Sequence, residues 1–114
     1  MALVITPAIA LRLWHDVALT MVRDDDPDLS LRQITILLTV YLEAPPHTVR
    51  GLAAKLGVSK PVITRALDSM GKLDLVTRRR DEADRRNVLI QRTVAGALYL
   101  ERFADTIARE SQKF

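Results

Sequence analysis

Residues 48–56 and 60–73 form two short amphipathic segments joined by the turn LGVS at residues 56–59. Gly57 is the residue type best suited to a left-handed helix exit, so the first segment is expected to end there. The small side chain of Ala53 allows two helices to cross closely, and the second segment has its apolar face at Ile63, Ala66, Leu67 and Met70. This spacing predicts a helix-turn-helix, in which Ser59 caps the second helix (here called the recognition helix) and that helix presents a polar face.

The 114-residue chain fits one compact domain with a single core. It contains no cysteine, which excludes a disulfide framework and a thiolate metal site. No basic leader with a cleavage site begins the chain, and no window approaches the roughly 20 uncharged residues of a membrane span. We therefore expect a soluble, cytoplasmic protein, associated with the nucleoid if it binds DNA, and without contact to a membrane.

Nothing in the chain indicates an enzyme or a cofactor site. A glycine-rich phosphate loop and a nucleophile elbow are missing. His15 and His47 are the only histidines, too few for a metal site, so we expect neither metal nor cofactor. His15 and Asp16 are neighbours on a predicted helix, where adjacent side chains are expected to diverge, which argues against a catalytic dyad.

Charge is distributed unevenly along the chain. Residues 1–29 hold two arginines and five aspartates, whereas residues 30–114 hold fifteen Lys or Arg and nine acids, a net charge of +6. A basic surface on the C-terminal three quarters favours a polyanionic partner.

Three further helices are predicted from apolar spacing and capping residues. The first follows Thr6 and Pro7 to about Arg23 and has a broad apolar surface, which indicates two contacts, one of them with another chain. The acidic segment DDDPDLS is expected to be a solvated linker, and a second helix from Ser30 to about Leu42 should bury four apolar residues. Thr93 should cap a last helix to about Glu110. The buried set of the second helix is predicted as Ile34, Leu37, Leu38 and Tyr41.

Two β-strands, LVTRRR and NVLIQR, are predicted on either side of a charged loop. The stretch RRRDEADRR, which begins at Arg78, contains five arginines and three acids. It is either a polar hairpin tip that resists edge-to-edge pairing or a set of arginines that bind phosphates. A hairpin directly after a helix-turn-helix predicts a mainly α winged helix-turn-helix with a two- to three-stranded β wing.

From Ser30 to about Glu110, the chain resembles the MarR family of bacterial transcriptional regulators. The resemblance rests on TVRGLAAKLGVSKPVITRALDSMGKLDLVTRRRDEADRRNVLIQRTVAG. Its most specific part is DEADRR, followed by an apolar strand and TVAG, which is similar to the wing signature of the family. The resemblance implies a homodimer that binds a pseudo-palindromic operator in double-stranded DNA, with recognition helices in successive major grooves and wings in adjacent minor grooves.

The resemblance implies that the major-groove positions are Ser59, Lys60, Pro61, Thr64 and Arg65. This agrees with the polar face that helical periodicity predicts, which contains Lys60, Pro61, Thr64, Arg65 and Asp68. Lys60 and Arg65 are long enough for guanine edges or phosphates, whereas Pro61 supplies only shape and apolar contact. In the wing, Arg86 is the predicted minor-groove residue and Asp84, two positions away, its positioning partner. Arg85 is expected to face phosphate, supported at the wing base by Arg79 or Arg80.

Members of the family usually continue into a longer C-terminal helical region, whereas this chain stops at Phe114. The dimer is therefore expected to rest on the first and last helices. Trp14 is expected in the core or in the dimer contact. The short C-terminus also leaves less room for the effector pocket of many relatives, so a small-molecule effector stays an open alternative. The expected dimer residues are Leu13, Trp14, Val17, Leu100, Phe103 and Ile107.

These interpretations divide the chain into three parts. Residues 1–29 are a helix and an acidic linker for dimerisation, and residues 30–93 are the DNA-binding core. Residues 94–114 are a second dimerisation segment. The expected function is sequence-specific DNA binding in transcription regulation. Two alternatives stay open: a winged helix that binds an acidic protein, and an architectural protein that binds DNA without sequence preference. Salt dependence and base preference separate the three, because only a regulator should show both.

Overall fold

The computed structural model describes residues 4–114 and contains five helices and one hairpin. No helix among these residues is both long and apolar enough to cross a membrane. The elements are α1 (Pro7–Arg23), α2 (Leu31–Leu42), α3 (Val49–Leu56), α4 (Lys60–Lys72), β1 (Val76–Arg80), β2 (Val88–Arg92) and α5 (Val94–Ser111).

Most helix starts are fixed by hydroxyl side chains, as predicted for Thr6 and Thr93, and α2 begins directly after Ser30, where its start was predicted. The Thr6 oxygen accepts from the Ile9 N–H at 3.3 Å, and the Thr93 oxygen accepts from the Gly96 N–H at 3.0 Å. Ser30 forms a capping box with Gln33, in which each side chain accepts from the backbone N–H of the other. Ser59 occupies the N-cap position of α4, as predicted, but its side chain makes no cap hydrogen bond.

The chain divides into two compact units, residues 29–99 and residues up to 28 together with 100–114. In the first unit, the fully buried side chains of α2 and α4 form the centre of the core. Ile63, Ala66, Leu67 and Met70 are buried in α4, as predicted.

In α2, the predicted buried set was partly wrong. The buried residues are Ile36, Leu37, Thr39 and Val40, whereas Ile34, Leu38 and Tyr41 are only half-buried. Helical periodicity predicts which side of a helix is apolar. Because α2 packs against both α4 and β2, these two contacts bury a different side of the helix from the predicted one.

Helices α3 and α4 form the predicted helix-turn-helix. Gly57 closes α3 in the left-handed conformation, with φ 69° and ψ 34°, and the Val58 N–H donates to the Ala53 carbonyl at 3.0 Å. Leu52 and Ala53 of α3 and Ile63 of α4 are buried. The turn therefore fixes α4 with its apolar face inward and its polar face outward.

Strands β1 and β2 form an antiparallel hairpin, here called the wing, in register from Val76 opposite Arg92 to Arg80 opposite Val88. Val76 and Ile90 are buried at the base of the wing. A third strand is reduced to a single bridge between Thr48 and Leu89, beside a hydrogen bond from the Ile90 N–H to the His47 carbonyl at 2.8 Å. The winged helix-turn-helix prediction is confirmed.

The start of α5 is tied to α2 and to the end of α4 through Thr93. The Tyr41 hydroxyl donates to the Thr93 carbonyl at 2.7 Å and accepts from the Thr93 N–H at 2.9 Å. The Thr93 hydroxyl donates to the Asp74 carbonyl at 2.6 Å. These hydrogen bonds fix where the chain leaves the wing.

Asp74 is the one non-glycine residue with positive φ, 59°, among residues 4–114. The left-handed conformation brings the Cβ of an L-residue close to its own carbonyl, a cost that glycine avoids. We expect Asp74→Gly to raise the free energy of unfolding by about 0.5 kcal/mol in urea titrations, after the greater entropy of glycine in the unfolded chain is subtracted. Lys72→Gly, at a helical position nearby, should instead lower it by about 0.5–1 kcal/mol. A loss of stability in Asp74→Gly would contradict this account.

In the second unit, Val17 of α1 is buried and polar contacts join α1 and the acidic linker to α5. The Thr20 hydroxyl donates to the carboxylate of Glu110 at 3.4 Å, and Glu110 is also paired with Lys113. Arg102 donates to both carboxylate oxygens of Asp26 at 2.8 and 2.9 Å. The linker is thus attached at Asp26, whereas Asp24, Asp25 and Asp28 are exposed, as expected of a solvated segment.

Candidate nucleic-acid interface

The exposed face of α4 and its N-cap residue together contain all five residues that were predicted to face the major groove. Each of them is exposed, because burial of Ile63, Ala66, Leu67 and Met70 turns the opposite side of the helix to solvent. The Ser59 hydroxyl, which does not cap the helix, is available to donate to an acceptor outside the chain. The exposed set is Ser59, Lys60, Pro61, Thr64 and Arg65.

A groove of about 320 Å³ runs along the α2 side of α4. Its floor contains Val62 and Ala66, and Arg32 of α2 and Arg65 of α4 line it. Arg65 extends along its own helix, with its Nε 3.4 Å from the Pro61 carbonyl. No local sequence signal marks Arg32, because it is separated from α4 along the chain and joins this surface only through tertiary packing.

The wing tip is organised by Asp84 and Arg86. The guanidinium donates to both carboxylate oxygens, with Nε–Oδ1 at 3.0 Å and Nη2–Oδ2 at 3.1 Å, and the Arg86 N–H donates to Oδ1 at 3.2 Å. The predicted pairing is present, but its cause differs. Both residues lie in the turn between the strands, so the pair forms by a local side chain-to-backbone turn and not by the alternation of an extended strand.

The Arg86 guanidinium lowers the pKa of Asp84, with further lowering from the Arg86 N–H and the charge of Arg50 on α3. In turn, Asp84 raises the pKa of Arg86 above its usual value. Because the carboxyl pKa is depressed in the folded state, the contact is fully formed above the usual Asp range. It is lost only as the pH falls through the lowered pKa, so the wing tip keeps its geometry at neutral pH.

The other predicted wing arginines differ in their contacts. Arg80 donates from Nη1 to the Arg85 carbonyl at 2.6 Å, which holds the loop against β1. Arg79 and Arg85 have exposed side chains. Arg80 therefore lies at the loop end of β1 and supports the loop, and not at the wing base where one of these two arginines was expected.

Three charged residues near this surface were not selected from the sequence. Arg50 lies close enough to Asp84 to lower its pKa, and Asp68 of α4 accepts from Arg78 of β1 at 2.7 Å. The periodicity of α4 placed Asp68 on the polar face, but no local signal shows its partner, which is ten residues away.

His15 and Asp16 do contact each other, contrary to the expectation that they diverge: His15 Nδ1 lies 2.9 Å from Asp16 Oδ1. The hydrogen bond from His15 lowers the pKa of Asp16, and the charge of Arg12, 3.3 Å from the same oxygen, lowers it further. Since the imidazole is 59% exposed, this is a surface electrostatic contact. Among residues 4–114, no three His, Cys, Asp or Glu side chains converge as metal ligands.

The predicted dimer residues differ in exposure. Trp14 is 59% exposed and Ile107 37% exposed, so Trp14 is not a core residue of its own chain. Leu13, Leu100 and Phe103 are half-buried. Val17 is buried within the chain and offers the least surface to a partner.

A helix-turn-helix with an exposed basic face, followed by an arginine-tipped hairpin, defines the chain as a winged-helix protein. The model of the MarR family matches residues 29–88, more than half of the chain. The chain belongs to the MarR family, which is the family that its wing sequence resembles. No match was found among curated protein sequences.

Solved structures of transcriptional regulators share this fold. The S. aureus MepR–DNA complex superposes with a TM-score of 0.78 at 20% identity, over 93% of this chain and 84% of MepR. Regulator Tm0710 from Thermotoga maritima gives 0.68 at 24%, over 94% and 70% of the two chains. CouR from Rhodococcus jostii, solved with p-coumaroyl-CoA, gives 0.67 at 23%, over 94% and 73%.

Proposed function

We propose that this chain is a sequence-specific, double-stranded-DNA-binding transcriptional regulator. The observation that carries the proposal is the coincidence of two exposed cationic features in residues 29–99: the polar face of α4 and the wing tip with Arg86 held by Asp84. Each feature alone occurs on many solvated surfaces. Together they correspond to the two DNA-contacting elements of a winged helix, one for each DNA groove.

In the proposed complex, α4 enters the major groove. Lys60 and Arg65 contact guanine edges or phosphates, Thr64 contacts a phosphate or a thymine methyl group, and Ser59 donates to the backbone. Arg86 enters the minor groove, where a narrow A·T segment concentrates negative potential. Arg79 and Arg85 supply phosphate contacts outside the grooves. S. aureus MepR has been solved with DNA, which supports this choice of partner.

We further propose that the protein acts as a homodimer built from α1 and the second half of α5. Trp14 and Leu11 of α1 are 59% and 75% exposed, and Ile107 of α5 is 37% exposed, which is apolar surface that a second copy would remove from water. The proposed contact also includes Leu13, Leu100 and Phe103. Two-fold symmetry of the dimer implies a pseudo-palindromic operator.

The test is selection from fragmented DNA of the source genome at near-physiological salt, followed by sequencing of the bound fragments. We expect enrichment of a pseudo-palindrome with half-sites about one helical turn, roughly 10 base pairs, apart. Affinity should fall steeply with added salt while a sequence ratio persists. A salt slope without a sequence ratio would identify an architectural DNA-binding protein. Absence of DNA binding would favour a protein-interaction module and overturn the proposal.

The proposal assigns no effector, metal or catalytic step to the chain. A polar cavity of about 380 Å³ beside α3 includes Glu43, His47 and Lys55. Because Glu43 and Lys55 pair with each other at 2.8 Å, their charges are already matched.

A further inference from the structure

The ion pair between Asp68 and Arg78 joins the recognition helix to the wing. Val76, Arg78 and Arg80 lie on one side of β1, since side chains alternate along a strand. Val76 is buried, so this side faces the body of residues 29–99. Arg78 is the next residue on that side, and its Nη2 donates to Asp68 Oδ1 of α4 at 2.7 Å.

The two strands of the wing are attached to the body in different ways. β2 is held by backbone contacts, the bridge between Leu89 and Thr48 and the hydrogen bond from Ile90 to His47. β1 pairs only with β2 in the sheet, so its other edge has no strand partner among residues 4–114. The Asp68–Arg78 contact therefore attaches β1 to α4 through side chains, whereas β2 is attached to the body through its backbone.

From that contact, a series of arginine interactions continues to the wing tip. Arg78 binds α4, Arg80 binds the carbonyl of Arg85 in the loop, and Arg86 binds Asp84. A rotation of β1 away from α4 would move the whole hairpin, because the strands are in register and the loop is bonded to β1. The Asp68–Arg78 contact is therefore one of the contacts that set the position of Arg86 relative to α4, beside the backbone contacts of β2.

We propose that Asp68 and Arg78 are positioning residues that fix the angle between recognition helix and wing, so that α4 and Arg86 reach their two DNA grooves at the same time. This inference rests on the proposed function. The carboxylate of Asp68 lies on the DNA-facing helix, where it would repel phosphates if it had no cationic partner. A role in positioning the wing explains why a carboxylate lies on this helix.

The variant Asp68→Asn distinguishes a positioning role of Asp68 from a purely electrostatic role, because the two predict opposite changes in DNA affinity. It removes one negative charge beside the DNA and frees Arg78, so electrostatics alone gives tighter binding. Loss of positioning gives weaker binding, by about two- to fivefold, the range for an ion pair of this exposure. Tighter or unchanged affinity for the selected operator would overturn the inference.

Two further readouts exclude a merely structural effect. The fold loss of DNA affinity caused by Arg86→Ala should be smaller in the Asp68→Asn background than in the parent protein, because a misplaced Arg86 contributes less to DNA binding. The charge-exchanged pair, Asp68→Arg with Arg78→Asp, should recover at least part of the lost affinity. Equal Arg86→Ala factors in both backgrounds would contradict positioning.

A measurement without DNA tests the geometry independently of the proposed function. The chain contains no cysteine, so spin labels can be attached uniquely at Ser69→Cys on α4 and Ala83→Cys at the wing tip. We expect Asp68→Asn to broaden the distance distribution between the two labels, with Lys72→Gln as a control that leaves it unchanged. An unchanged distribution in Asp68→Asn would overturn the inference even if the protein binds DNA. A broadened distribution in a protein that binds no DNA would reject the proposed function alone.

Discussion

Gly96→Ala is expected to lower the free energy of unfolding by about 2–3 kcal/mol, the largest stability effect that we predict for a single methyl group. Gly96 lies in the first turns of α5. A Cβ built there would fall well inside van der Waals distance of the Leu75 carbonyl oxygen and of the Tyr41 hydroxyl. The Leu75 atom belongs to the backbone, so it cannot move away by changing a rotamer.

Tyr41 cannot retreat without loss either. Its hydroxyl bonds both the N–H and the carbonyl of Thr93, so displacement would break the contact that holds the start of α5. The greater helix propensity of alanine, about 1 kcal/mol, offsets only part of this cost. In thermal unfolding followed by circular dichroism, the change should lower Tm by roughly 8–13 °C.

Gly71→Ala provides the matched control. Gly71 lies near the end of α4, and a Cβ there would have no atom within 4 Å. The same substitution should therefore raise stability by up to about 0.5 kcal/mol. If Gly96→Ala unfolds within about 0.5 kcal/mol of the parent protein, the close approach of α5 to Leu75 and Tyr41 is incorrect.

Arg86→Ala is expected to weaken binding to the selected operator by about 1–3 kcal/mol, or roughly five- to 150-fold. The side chain is 78% exposed, so the folded chain should lose little stability. The loss should be greatest for operators with a narrow A·T-rich minor groove beside the half-site, because that groove has the strongest negative potential. Fluorescence anisotropy titrations over a salt series measure both the affinity and its salt slope.

Three variants control for charge and for geometry. Arg109→Ala removes an equal charge from an exposed position on α5 and should change affinity by less than about twofold. Arg86→Lys keeps the charge but loses the planar fork, so it should bind with intermediate affinity. Asp84→Asn releases Arg86 from its bidentate partner and should lower the operator affinity less than Arg86→Ala does. Unchanged affinity in Arg86→Ala would remove the minor-groove assignment.

The sequence predicted the parts of the fold that depend on local chemistry. Capping residues located the starts of α1, α2 and α5, and Gly57 located the end of α3. The alternation of polar and apolar residues in α4 identified its buried face correctly. These predictions succeeded because capping, left-handed turns and helical periodicity each involve residues within a few positions of one another.

Local chemistry was insufficient where an element contacts more than one neighbour. The apolar residues of α2 surround much of the helix, so only packing against α4 and β2 selects Ile36 and Val40 for burial. Ser59 has the right residue type for a cap, yet the observed geometry leaves its hydroxyl unused. The Asp84–Arg86 pair was anticipated, but the turn, not the strand, brings the two side chains together.

By itself, the sequence determined the helix-turn-helix, the arginine-tipped wing and the family, because each is a local pattern of residue types at fixed spacing. Only the tertiary structure decided which distant charges meet. Asp68 and Arg78 pair across α4 and β1, and the Tyr41 hydroxyl reaches Thr93, 52 positions along the chain. Such contacts depend on how whole elements pack, and the free energy of packing is shared among many side chains instead of being encoded in one short segment.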